Sequence, residues 1–180
     1  DKGYKKGDDG YLVSVGSIHF EPLGLYSDKY KSVSDIKDGS TIAIPNDATN
    51  EARALLLLAD NGVLTLKKGT GVDATTKDVE SYNKKVELVE VDGAQVASKL
   101  QDVDFGIING NYALDAKVTD KIITTEDANS ESAKTYANVI AVKESNKNNK
   151  AVKELVKILK SDSTKKWIEK KFGVAVKPAE

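Results

Sequence analysis

Arg53 is the residue best placed for chemistry, following the polar run Asn46-Asp47-Ala48-Thr49-Asn50 and heading an apolar helical segment. With Asn50 as the capping residue, the arginine falls in the first helical turn, where the helix end already carries partial positive charge. A cation there is electrostatically misplaced unless an anion joins it. Free backbone N–H groups beside a guanidinium suit a carboxylate or a phosphate. The plainer reading pairs Arg53 with Asp47 or Glu51, or extends it into water, and the sequence leaves both open. Asn109 and Asn138 come next, because each follows or opens a strand that reads as buried. A side-chain amide offers an acceptor and donors, which suits the ammonium and carboxylate of an amino acid. Turn chemistry competes with this, since Asn109-Gly110 is a common turn pair. It competes less at Asn138, which stands between a tyrosine and an apolar run.

Other chemistries lack their residues. The chain has no cysteine, which excludes disulfides, Cys-ligated zinc, iron–sulfur clusters and thiol nucleophiles. One histidine, His19, cannot build a multi-His metal site and gives a Ser-His-Asp triad little to stand on. It lies in an extended apolar segment and reads as structural. Asp102 and Asp104 bracket Val103 and point to one face, where solvation explains them better than acid–base catalysis. Gly69-Thr70-Gly71 lacks the Lys-Ser/Thr and the further glycine that a phosphate loop needs. The lysines from Lys143 to Lys177 are interleaved with acids, as on a solvated helical face. The expectation is therefore no catalytic residue, no metal and no cofactor.

The elements that must position Arg53 and the asparagines are legible in the pattern. The chain has 180 residues, 39% hydrophobic and 31% charged, enough for one compact domain or two small lobes. Its 27 Lys+Arg against 28 Asp+Glu leave a net charge of −1, which argues against a nucleic-acid partner. The longest apolar run, Ala54 to Ala59, is far too short to cross a bilayer. There is no methionine, the initiator included, and no signal peptide is visible at the polar, Gly-rich start, so a processed or cut chain is expected.

Strands are expected over Tyr11 to Phe20, Thr41 to Ile44, Val86 to Val91, Val103 to Ile108 and Tyr136 to Val142. Helices are expected after Asn50, from Ala94 to Leu100, and over two C-terminal stretches carrying Val152, Leu155, Val156 and Leu159, then Trp167, Ile168 and Phe172. Lys67 to Lys85 reads as mostly loop. The alternation of strand and helix predicts an α/β fold with largely parallel sheets and its ligand at the carboxyl ends of strands.

Separate motifs then point to a family. Tyr11 to Gly16 with Pro22-Leu23-Gly24-Leu25-Tyr26-Ser27, and Ile44 to Leu58 with its Asn46-Asp47-Ala48-Thr49-Asn50-Glu51-Ala52-Arg53 core, resemble segments of the methionine-binding lipoproteins of the NlpA family. So do Ile108-Asn109-Gly110-Asn111-Tyr112-Ala113 and Tyr136-Ala137-Asn138-Val139-Ile140. The resemblance spans essentially the whole chain. It implies a two-lobed fold like that of type II periplasmic binding proteins, with residues 26-136 as the second lobe and residues 1-25 and 137-180 as part of the first. It also implies that Arg53 grips the ligand's α-carboxylate and that Asn109 and Asn138 hydrogen-bond its main-chain groups.

Two features depart from the family pattern. Ala48 stands where the family usually has proline. The family's amino-terminal segment, with its lipid-bearing cysteine and the aromatic and histidine wall around the ligand side chain, is absent, so the first lobe is expected to be incomplete. The implied role is an extracytoplasmic receptor, not an enzyme. It would deliver L- or D-methionine or a methionine dipeptide to an ABC permease and ATPase. The parent would be held by a lipid anchor at the outer face of the cytoplasmic membrane, extracellular or periplasmic. The competing role is the small-molecule effector domain of a regulator with the same fold class.

Overall fold

The computed structural model describes residues 3–127, 129–130 and 134–179. Two sheets organise the chain. Strand β1 (Leu12–Phe20) pairs antiparallel with β9 (Asn138–Lys143) on one side and with the short β10 (Lys177–Pro178) on the other. Helices α4 (Lys150–Leu159) and α5 (Asp162–Phe172) accompany this sheet. The second sheet has five strands in the order β6 (Glu87–Val91), β3 (Thr41–Pro45), β7 (Phe105–Asn109), β2 (Leu23–Tyr26) and β8 (Ile122–Thr125). The chain passes between the sheets at Glu21-Pro22 and again after Thr125.

The five-stranded sheet is mixed. Strand β3 runs parallel to β6 and β7, but β2 is antiparallel to both β7 and β8. The expectation of largely parallel sheets is therefore corrected: β2 enters from the other sheet after a two-residue link, not after a crossover helix, so its direction is free to oppose β7. Lys67 to Lys85 is also more ordered than a loop. Strands β4 (Leu64–Leu66) and β5 (Val79–Tyr82) pair as a ribbon, and Thr75 and Asp78 form a capping box between them. Four residues of strand flanked by Lys, Thr and Asp carry too short an alternation to announce themselves.

Helix α1 (Ala48–Asp60) lies against the five-stranded sheet with Ala52, Ala54, Leu55, Leu57 and Leu58 buried. Its cap is Asp47, whose carboxylate accepts from Asn50 N–H at 3.1 Å. At the other end Asn61 closes the helix and Gly62 takes the left-handed φ of 69° that permits the exit. The opposite face is covered by α2 (Val96–Lys99) and α3 (Gly110–Asp115), which bury Val96, Leu100, Ile108 and Ala113. Tyr30 stacks on the fully buried Phe105 with ring centroids 5.0 Å apart. Asp104 is structural: it accepts from Thr41 N–H at 3.0 Å and meets Lys29 Nζ at 3.4 Å, so solvation does not account for it. Among the described residues no helix is long and apolar enough to cross a membrane.

Candidate functional site

The helix start at Ala48 moves Arg53 out of the first turn and into the second. Arg53 is therefore not a cation misplaced at the helix end, and neither Asp47 nor Glu51 is its partner. Asp47 caps the helix, and Glu51 accepts from Thr76 N–H. Arg53 is buried, and its partner is Glu126, just past β8 and equally buried. Nε donates to Glu126 Oε1 at 3.0 Å and Nη2 to Oε2 at 2.6 Å, a two-pronged pair of the kind that fixes a guanidinium plane. Burial of such a pair demands that every polar group around it be matched, because an uncompensated charge here would be strongly destabilising.

The match is nearly complete. Nη2 also donates to the Glu21 carbonyl at 2.8 Å, and Nη1 donates to Asn50 Oδ1 at 3.2 Å. Glu126 Oε2 accepts in addition from Leu23 N–H at 2.7 Å, while Glu126 N–H donates to the Leu23 carbonyl at 2.9 Å. A guanidinium has five N–H groups. These contacts use four of Arg53's and leave one on Nη1 without an acceptor among the described residues. Two rings frame the cation, with Phe20 5.2 Å and Tyr136 5.3 Å from ring centroid to guanidinium carbon. Tyr136 is fixed by its hydroxyl donating to the Val72 carbonyl at 2.9 Å. Its phenol pKa is pushed up, first by burial and then by Glu126 and Asp73, with Arg53 pulling it down.

Asn109 joins this centre through Asn50. Its Nδ2 donates to Asn50 Oδ1 at 3.0 Å, the same oxygen that Arg53 uses. The Asn50 amide is itself oriented by donating to both oxygens of Asp47. Asn109 Oδ1 is buried and has no hydrogen-bond partner, an orphan acceptor in the same network that leaves one Arg53 N–H unmatched. Asn109-Gly110 makes no hairpin turn: Asn109 ends β7 and Gly110 opens α3. The glycine is required by contact, since a Cβ there would stand 2.0 Å from the Ala175 carbonyl oxygen.

Asn138 lies apart from the Arg53 hydrogen bonds. It is exposed at the start of β9, opposite His19 of β1, and faces an apolar groove shared with Asn111, Leu114 and Trp167. His19 meets Glu21 at 3.2 Å. Sequence reasoning missed Glu126, Phe20 and Tyr136, and gave Asn50 the cap's role in place of its bonds to Arg53 and Asn109. Glu126 is 73 residues from Arg53 and follows the strand Ile122–Thr125 without a local pattern to mark it. The family motifs did contain Tyr136, but only as a neighbour of Asn138. Among the described residues no cluster of His, Asp and Glu is arranged to hold a metal ion.

Comparison with known proteins bears on this geometry. The family described as NlpA lipoprotein matches residues 2–180. Membrane lipoprotein TpN32 of Treponema pallidum is 39% identical over 175 residues, covering 95% of this chain and 63% of that protein. The methionine-binding lipoprotein MetQ of Bacillus subtilis is 37% identical, covering 97% of this chain and 64% of its own. Among solved structures, a nutrient binding protein from Burkholderia cenocepacia bound to methionine superposes with a TM-score of 0.81 at 41% identity, covering 96% and 72% of the two chains. A periplasmic substrate-binding protein of an ABC transporter from Coxiella burnetii gives 0.80 at 41% identity, with coverage of 95% and 72%. The chain thus spans less than two thirds of the length of these two sequence relatives.

Proposed function

The chain belongs to the NlpA lipoprotein family, and from that premise we propose that it is the ligand-holding part of an extracytoplasmic binding protein that delivers methionine to an ABC importer. The observation that carries the reading is the single unused N–H of a buried, ring-framed arginine beside an orphan amide acceptor. A donor and an acceptor on either side of one amide suit the carboxylate and ammonium of an amino acid. Arg53 takes the carboxylate, Asn109 Oδ1 takes an ammonium N–H, and Asn138 reaches the ligand from the other sheet. The five-stranded sheet and its helices, residues 23 to 136, form one ligand-binding lobe, since all of β2 pairs within that sheet and the expected start at residue 26 moves to residue 23. Residues 1-22 with 137-180 belong to the other. The site binds and releases its ligand without chemistry.

Relatives named as membrane lipoproteins and as a periplasmic transporter component support a place in the cell envelope. The same names support partnership with a permease and ATPase, and a lipid anchor in the longer parent. They give no support to a regulator's effector domain. Ligand contact with both lobes would favour the closed form through its higher affinity for that form.

Calorimetric titration of L-methionine into the full-length protein, with any anchor removed, tests the reading. Saturable one-site binding is expected. Arg53→Ala should weaken it by roughly 2–5 kcal/mol, the cost of stranding a buried carboxylate. Arg53→Lys keeps a cation for Glu126 but loses the planar fork, and it should weaken binding as well. Unchanged affinity in both variants would remove Arg53 from the site. No binding of L-methionine, D-methionine or methionine dipeptides by the unaltered protein would end the proposal.

A further inference from the structure

We propose that Glu126 sets the charge preference of the Arg53 site, so that it takes a net-neutral zwitterion and turns away a simple carboxylate anion. The inference rests on the binding-protein reading above and names the residue that decides its ligand class. Arg53 offers no uncancelled charge. Both carboxylate oxygens of Glu126 accept from it, at 3.0 and 2.6 Å, and both side chains are buried. The remaining contact of that carboxylate is another donor, Leu23 N–H at 2.7 Å, so Glu126 acts wholly as an acceptor.

The other carboxylates nearby tip the balance further toward negative. Asp47 holds the Asn50 amide, Glu21 lies against His19, and Asp73 acts with Glu126 on the Tyr136 phenol. A bare anion entering this centre would add a charge that Arg53, already paired with Glu126, is not left to neutralise, and buried uncompensated charge is strongly disfavoured. A zwitterion adds none. Its carboxylate meets the last Arg53 N–H, and its ammonium meets Asn109 Oδ1, the one buried side-chain acceptor the described residues leave unpartnered. Glu126 also makes the grip rigid. It bonds to Leu23 and Arg53 bonds to Glu21, so the guanidinium is fixed to the segment where the chain passes from one sheet to the other. Glu126 thus acts on ligand through Arg53, as a positioning residue.

The test compares L-methionine with N-acetyl-L-methionine, which keeps the carboxylate and the side chain but has no ammonium. Both are titrated into the full-length protein and its Glu126→Gln variant. The unaltered protein should prefer methionine, and the variant should narrow that preference by about tenfold or more. Equal weakening of both ligands, with the ratio unmoved, would make Glu126 a purely structural support and overturn the proposal. Should Glu126→Gln fail to fold, Glu126→Asp retains the charge one methylene short. It should bind less tightly yet keep the preference for methionine, and a lost preference there would overturn the proposal. If the unaltered protein binds neither ligand, the importer reading fails, and sodium acetate in thermal melts judges the charge argument separately. Acetate should raise the melting temperature of Glu126→Gln and leave the unaltered chain unmoved; the same response in both would overturn it.

Discussion

The five-stranded sheet is enclosed on both faces, by α1 on one side and by α2 and α3 on the other, whereas the three-stranded sheet has only a small buried cluster of its own. Leu25, Ile42, Ile44, Leu55 and Phe105 are essentially inaccessible in the first. Around the second, the buried cluster is Ile168, Ala175 and Val176, while Leu12, Val139, Leu155, Ile158 and Trp167 stay exposed. Helix α4 makes the contrast plainest. Its apolar residues fall on one stripe, yet none of them is buried. An apolar stripe specifies which face a helix would bury, and a neighbour must exist before the stripe yields stability. The Arg53 centre lies on the border, bonded to the chain where it leaves one sheet for the other. Its rigidity is drawn from the better-packed side.

The largest effect that sharpens this comparison is a truncation in the enclosed sheet. Phe105→Ala removes a ring with no exposure, and the stacking of Tyr30 with it, and should cost about 3–5 kcal/mol. Urea unfolding of the chain measures it. The outward-facing Leu155→Ala, run beside it, should leave the midpoint nearly unmoved; comparable losses would erase the distinction between the two sheets. A smaller effect is expected at their contact. Gly110→Ala places a Cβ against the Ala175 carbonyl oxygen, 2.0 Å away if nothing shifts. Helix α3 or the C-terminal segment must move, at about 1–3 kcal/mol. Because β7 and Asn109 lead directly into α3, methionine affinity in the full-length protein should fall with stability. A stable variant with unchanged affinity would uncouple the sheet contact from the site.

What the sequence disclosed follows from the range of the physics involved. Strand β3 and helix α1 were legible because Thr41, Ile42 and Ile44 form a short run rich in β-branched residues closed by Pro45, and Ala52, Leu55 and Leu56 repeat at helical spacing. The cap was misread by three residues, because Asp47 and Asn50 are both good capping residues and only geometry shows which carbonyl starts the ladder. The earlier start puts Arg53 in the second turn, and its anion is supplied separately, by Glu126. Glu126 could not be found locally, since its pairing depends on how β8 and α1 are brought together across the sheet. The mixed direction of the strands was hidden for the same reason. A two-residue link at Glu21-Pro22 says that β1 and β2 are consecutive, not which sheet each will join.

The finest test of the comparison sets two carboxylates against each other across pH. Asp104, just before the central strand of the enclosed sheet, accepts from Thr41 N–H and Thr41 Oγ1 and lies near Lys29. Its pKa is held below the ordinary 3.8, chiefly by the Thr41 backbone hydrogen bond, against some desolvation. A carboxylate whose folded pKa is depressed contributes stability above its unfolded pKa and loses that contribution as pH falls through the folded value. Asp104→Asn should therefore lower stability by about 1 kcal/mol at neutral pH, and the gap should close as the pH is taken below 3.8. Asp9, on the three-stranded side, is also shifted down, chiefly by its hydrogen bond to Lys143, but it is fully exposed. Water and salt screen such a pair, and Asp9→Asn should leave the unfolding midpoint where it was at every pH. An Asp104→Asn gap that persists unchanged into acid would mean that side-chain shape, and not the ionised carboxylate, holds Thr41 to β7. In that case the joint between β3 and β7 would owe no more to charge than the open sheet does.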